Sequence, residues 1–120
     1  MSIKEEIDKA IAAHGQWKGK LRTAIETGQC ESTPEKVKQD NNCSFGKWLY
    51  YRIDETYKNS AHYKTILDLH AKFHQEAGSI LELAMNGDKT TASEKMGLGK
   101  PFRHLSAELT ENLNDWKKEL

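Results

Sequence analysis

Three histidines and one cysteine are the residues of this chain whose types and spacing could do chemistry. His70 and His74 are four apart, which on a helix separates them by only ~40° and lets both imidazoles reach one point. Both fall inside an apolar stripe rather than on a charged face. His14 lies inside another stripe, one turn before Trp17, and Cys43 opens the aromatic stretch Cys43-Ser-Phe-Gly-Lys-Trp48. Three imidazoles and one thiolate form a closed tetrahedral donor set suited to Zn²⁺, and the interior of a helical bundle is where facing helices bring such donors together. The residues by themselves leave two readings open. One is a metal site; the other is a set of ordinary core histidines, each hydrogen-bonded to a backbone carbonyl, with His-x-x-x-His arising by chance.

The elements that must position these residues are helices. Val occurs once and Pro twice, while Ala, Leu, Glu and Lys, which lose little freedom in a helix, dominate. Ile3, Ile7, Ala10, His14, Trp17, Leu21 and Ile25 follow steps of three and four, predicting a helix from about Ser2 to Thr27. Ser2 with Glu5 makes a capping box at its start, and Gly28 is its stop. Residues 29–42 read as a polar loop with one helical turn after Thr33-Pro34. Ser44 is the expected cap of a short helix bearing Phe45, Trp48 and Leu49. A third stripe predicts a helix over about Ser60–Met85, ended by Asn86-Gly87-Asp88. Phe102, Leu105, Leu109, Leu113 and Trp116 mark the last one, after a break near Gly97–Lys100. The expected fold class is all-α, an antiparallel four-helix bundle with one short helix carrying the cysteine, and residues 1–120 form one domain.

Composition closes off several functions. The chain has 120 residues with 18 Lys+Arg against 18 Asp+Glu, so it lacks the basic excess of a general nucleic-acid binder. The longest apolar runs, Ala10–Ala13 and Trp48–Tyr51, are four residues long, too short for membrane insertion or the apolar part of a signal peptide. Two cysteines cannot build a multi-bridge framework, which points to the reducing cytoplasm. Apolar residues are 37% of the chain, a thin supply for a core. No GxGxxG or Walker pattern suggests a nucleotide.

His14 with Trp17, the Cys43-Ser-Phe-Gly-Lys-Trp48 block and His70-x-x-x-His74, in that order, resemble the bacterial CZB (chemoreceptor zinc-binding) domain. The likeness runs over nearly the whole chain, and the cysteine block is its specific part. It implies that His14, Cys43, His70 and His74 bind one zinc in a four-helix bundle that pairs as a homodimer. Relatives are usually fused to chemoreceptor signalling regions or diguanylate cyclases and respond to zinc or to oxidants such as hypochlorous acid. No output domain is expected within these 120 residues, so the chain reads as a free-standing member or an excised module.

Four protein ligands leave no open position for a reactive water, so hydrolytic catalysis is disfavoured, which agrees with the sensory, non-enzymatic role the resemblance implies. A zinc-bound Cys43 is a thiolate, and its oxidation weakens the hold on the metal. Cys43 is thus the expected redox-reactive and movable ligand. The alternatives are a zinc enzyme using three histidines and a bound water, and a plain helical interaction module. Against the enzyme, Ala71, Lys72 and Phe73 fill the interval where zincins carry Glu. A haem or di-iron bundle is disfavoured because the Glu residues fall on outward faces. Gly46 suits either a close approach to a neighbour or a plain turn. Trp17 and Trp48 are expected to wall the site. Asp68 and Glu76 are candidate partners of its ligands, Cys30 a bystander surface thiol, and His62 and His104 exposed or hydrogen-bonded.

Overall fold

In the computed structural model, which describes residues 2–120, the first stripe forms α1 (Ile3–Gly15) and α2 (Trp17–Thr27). Ser2 caps α1 by accepting a hydrogen bond from the Glu5 amide, and its hydroxyl donates to the Glu5 carboxylate. Gly28 ends α2 in the left-handed region at φ 73°, where a Cβ would be strained. The single expected helix lapses at Gln16, although its φ and ψ stay right-handed helical. Gly15, a poor helix former, immediately precedes the lapse, and the ladder is stretched there, with the Gln16 amide 3.3 Å from Ala12 O.

The polar loop contains the expected turn, α3 (Pro34–Lys38), with the Thr33 hydroxyl accepting from the Lys36 amide. The short helix α4 (Ser44–Lys47) is capped one residue earlier than expected. Cys43, not Ser44, is the N-cap, and its sulfur accepts from the Gly46 amide at 3.3 Å. The Cβ substituent of Cys43 points back at the first turn, and its weakly accepting sulfur takes the place that an oxygen usually fills. A π-helical turn follows (Trp48–Arg52), closed by the Ile53 amide on Trp48 O, and then a 3₁₀ turn (Glu55–Asn59).

The long helix α5 (Ala61–Met85) starts on a Ser60 cap and runs through the middle of the packing. It lies against α2, α3, α6 (Lys89–Lys95) and α7 (Pro101–Glu119), while α1 packs on α7 and α4. Buried residues therefore occur on more than one face of α5, from Tyr63 and Ile66 to Leu81 and Ala84. The expected interruption before the last helix falls between Lys95 and Pro101, with Gly99 left-handed at φ 77°. On α7, Phe102, Leu109, Leu113 and Trp116 are buried, and Leu105 is half-buried. The chain is all-helical, with no strand among the described residues. It is divided into more helical pieces than the four expected, because polar capping side chains recur through residues 29–60 and start a new turn each time.

Among the described residues, the buried polar side chains are His14, His70 and His74. An interior filled by Leu, Ile, Phe and Ala thus carries a single polar knot, and that knot sits where α1, α4 and α5 meet.

Candidate metal centre

Each histidine is delivered by a helical stripe. His14 continues Ile7 and Ala10 on the buried face of α1, and its Nδ1 donates to the Ala10 carbonyl at 2.7 Å. His74 on α5 donates from Nδ1 to the Val37 carbonyl of α3 at 2.8 Å. A carbonyl can only accept, so both rings carry hydrogen on Nδ1 and turn an unprotonated Nε2 inward. His70 is fully buried, and its Nδ1 has no partner among the described residues.

The three Nε2 atoms converge. His14 to His70 is 3.0 Å, His70 to His74 3.1 Å and His14 to His74 3.3 Å. The Cys43 sulfur is 3.4 Å from His70 Nε2 and 4.0 Å from His14 Nε2, and all four donor atoms lie within 4.8 Å of one another. A tetrahedron with Zn–N of about 2.0–2.1 Å and Zn–S of about 2.3 Å has edges of about 3.3 Å between nitrogens and about 3.6 Å from sulfur to nitrogen. The nitrogen–nitrogen edges fall at or just below those values, and the sulfur stands farther off, 3.4 and 4.0 Å from two of the nitrogens and within 4.8 Å of the third. Two inward lone pairs 3.3 Å apart cannot satisfy each other, and one His70 hydrogen cannot serve both neighbours, so the cluster calls for a cation at its middle.

Burial sets the charge state of every member. It pushes the pKa of His14 down to about 4, against the pull of the Ala10 hydrogen bond, and that of His70 down to about 2, with the neighbouring imidazoles adding to the effect. His74 is lowered by the same desolvation. Neutral imidazoles are the ligating form. Burial pushes the Cys43 thiol up, so by itself it stays protonated at neutral pH, and a nearby cation is what turns it into a thiolate.

The wall of the cluster differs from the expected one. Phe45 stands edge-on to His14 and His70, at centroid distances of 5.9 and 5.2 Å, and Phe73 does the same to His14 and His74, at 5.3 and 5.8 Å. Trp48 is stacked behind Phe45, one layer out, and half-buried Trp17 lines a cleft that leads to His14 and Cys43. The ring partners also differ. Asp68 pairs with Lys72 at the surface and Glu76 lies near Lys95, whereas the imidazoles use backbone carbonyls. Gly46 is a close approach: a Cβ there would lie 1.7 Å from the Asp40 carbonyl oxygen. Cys30 and Cys43 are both free, and Cys30 is half-buried against the core instead of being a surface thiol. His62 and His104 pair with Glu119 and Glu108, away from the cluster.

Sequence reasoning missed Asp40 and Tyr50. The Tyr50 hydroxyl donates to the Asp40 carboxylate, beside the cysteine segment, and an Asp three residues before a Cys in a polar loop carries no signal of its own.

Three buried nitrogens on helices and one sulfur at a helix N-cap, in an all-helical fold, define the class as a helical metal-binding domain. The chain belongs to the chemoreceptor zinc-binding domain family, whose model matches residues 14–81. That span begins at His14 and includes Cys43, His70 and His74. Zinc is accordingly its cofactor, and the cluster is suited to that ion. The family is sensory and regulatory and not a known enzyme class. No curated protein and no solved structure matches the chain. No helix among the described residues is long and apolar enough to cross a membrane.

Proposed function

We propose that His14, Cys43, His70 and His74 ligate one zinc ion, and that the chain is a non-enzymatic sensory module whose Cys43 responds to zinc availability or to oxidants. The observation that carries this reading is the convergence of the three Nε2 atoms, near the edges of a zinc tetrahedron, with the sulfur within 4.8 Å of all of them. The sulfur's seat inside the cluster weighs against a three-histidine site with a bound water.

Bound zinc supplies the positive charge that keeps Cys43 a thiolate. Hypochlorous acid then takes two electrons from that sulfur: an S–O bond forms, the O–Cl bond breaks, chloride leaves, and Cys43 becomes a sulfenic acid. A sulfenic acid is a poor ligand, so the α4 segment is freed while His14, His70 and His74 stay on their helices. The cleft past Trp17 supplies a route from solvent to the sulfur.

In this reading residues 1–120 act as one unit, the long helices form an antiparallel four-helix bundle, and the module works as a cytoplasmic homodimer. Its change in helix packing would be read by a chemoreceptor or a cyclic-di-GMP-producing partner.

Metal analysis and a free-thiol count before and after mild hypochlorous acid test the proposal. The parent chain should carry one zinc and release it together with loss of the Cys43 thiol. Cys43→Ser should keep the helical circular dichroism, bind zinc at least about tenfold more weakly, and show no oxidant-dependent release. A Cys43→Ser chain that released zinc to the oxidant as readily as the parent would sink the idea.

A further inference from the structure

Cys43 sits in the loop ahead of α4, a single α-helical turn that runs directly into the π-helical turn ending at Arg52. Something other than helix propensity must hold its sulfur against the imidazoles. The loop just before it is tied down at each residue. The Asp40 carboxylate accepts from the Tyr50 hydroxyl, the Asn41 amide donates to the Tyr51 hydroxyl at 3.2 Å, and the Asn42 amide donates to Lys36 O at 3.4 Å. Tyr50 and Tyr51 both belong to the π-helical turn. That turn is anchored to α5 by the Tyr63 hydroxyl, which donates to Leu49 O at 2.9 Å. The Asp40–Tyr50 bond therefore closes a loop that contains Cys43 and links it to the helix bearing His70 and His74. Gly46 lies under the same loop, because only a residue without Cβ lets the Asp40 carbonyl come so near.

Of these ties, the Asp40–Tyr50 pair has a charged acceptor and a half-buried donor, the combination that makes a hydrogen bond strong. The Asn41–Tyr51 tie is exposed, with Tyr51 showing 69% of its surface to solvent. We propose that Asp40 and Tyr50 form a clasp that positions the Cys43 sulfur, so that thiolate ligation depends on a hydroxyl–carboxylate bond outside the metal cluster. The proposal rests on the reading of Cys43 as a ligand. Asp40 and Tyr50 are positioning residues that act through the loop.

Cobalt(II) titration of the full chain tests it, because cobalt reports sulfur ligation by a near-ultraviolet charge-transfer band and the overall site by its visible d–d bands. The parent should show both. Tyr50→Phe should keep the visible bands, lose most of the sulfur band, and bind zinc ~10–100-fold more weakly in competition with a chelating dye. Asp40→Ala should match it. Asp40→Asn keeps an acceptor oxygen for Tyr50, so it should retain most of the sulfur band. Circular dichroism of each metal-free variant checks that the helices are intact.

A Tyr50→Phe chain with the parent's sulfur band and zinc affinity would overturn the clasp alone. So would an Asp40→Asn chain as damaged as Asp40→Ala, since charge and not the bond would then be at work. A parent lacking the sulfur band would overturn the reading of Cys43 as a ligand, and the clasp with it.

Discussion

The candidate metal centre has two unlike halves. His14, His70 and His74 ride on α1 and α5, helices of 13 and 25 residues, whose own hydrogen-bond ladders and buried stripes fix them. Cys43 rides on a loop and a one-turn helix, and it is half-exposed where the histidines are buried. Long helices hold a ligand by packing; a short segment holds it by a few tertiary bonds. The first kind of support survives the loss of the metal, and the second is the kind that a local chemical change can release.

The largest effect that would sharpen this contrast comes from the histidine half. Structural zinc contributes about 10–16 kcal/mol through four ligands, so removing one by His70→Ala should cost zinc binding about 3–4 kcal/mol, a ~10²–10³-fold loss. Isothermal titration with zinc reads it. A loss no greater than that of Cys43→Ser would erase the distinction between the halves.

Next comes pH, acting on the metal-free chain. His14 and His70 hold folded pKa values of about 4 and about 2, below the 6.5 of the unfolded chain. The unfolded state therefore binds more protons between pH 6.5 and about 4, and stability falls as pH falls through that window. Two such histidines should remove about 3 kcal/mol between pH 6.5 and 5. Urea midpoints at several pH values measure it, and a flat profile would mean the imidazoles are not buried neutral.

Gly46→Ala probes the cysteine half with the smallest expected effect. The new methyl must push the Asp40–Asn41 backbone aside, costing about 1–3 kcal/mol of stability. In cobalt spectra the sulfur band should weaken while the visible bands persist. An unchanged sulfur band would show that the cysteine segment tolerates displacement.

The same contrast governs what could be read from the sequence. The stripes that carry His14, His70 and His74 follow helical spacing, with Ser2, Gly28 and Asn86-Gly87-Asp88 signalling their ends, and Thr33-Pro34 signals the start of α3. Those features are local, so they are legible. The acceptors of His14 and His74 are backbone carbonyls, which every residue owns and which leave no mark in the sequence, whereas the carboxylates of Asp68 and Glu76 are visible there and pair elsewhere. The Asp40–Tyr50 bond joins residues ten apart across a loop, and no periodicity encodes it. Cys43 as a cap was hidden because sulfur is an uncommon acceptor beside the adjacent Ser44. The lapse at Gln16 likewise leaves the apolar spacing of its segment uninterrupted.

The unpartnered Nδ1 of His70 bears on how tightly such a centre can hold its ion. When Nε2 ligates, the ring's hydrogen must sit on Nδ1, buried with no acceptor among the described residues, where the empty centre leaves a bare lone pair; either costs about 1–3 kcal/mol. An acceptor placed beside that nitrogen would satisfy the filled centre more than the empty one, and would lower the free-ion concentration at half-occupancy by up to about one to two decades. Leaving that nitrogen unserved suits the proposed sensory role, in which the centre must be able to empty, better than it suits a permanent fastening.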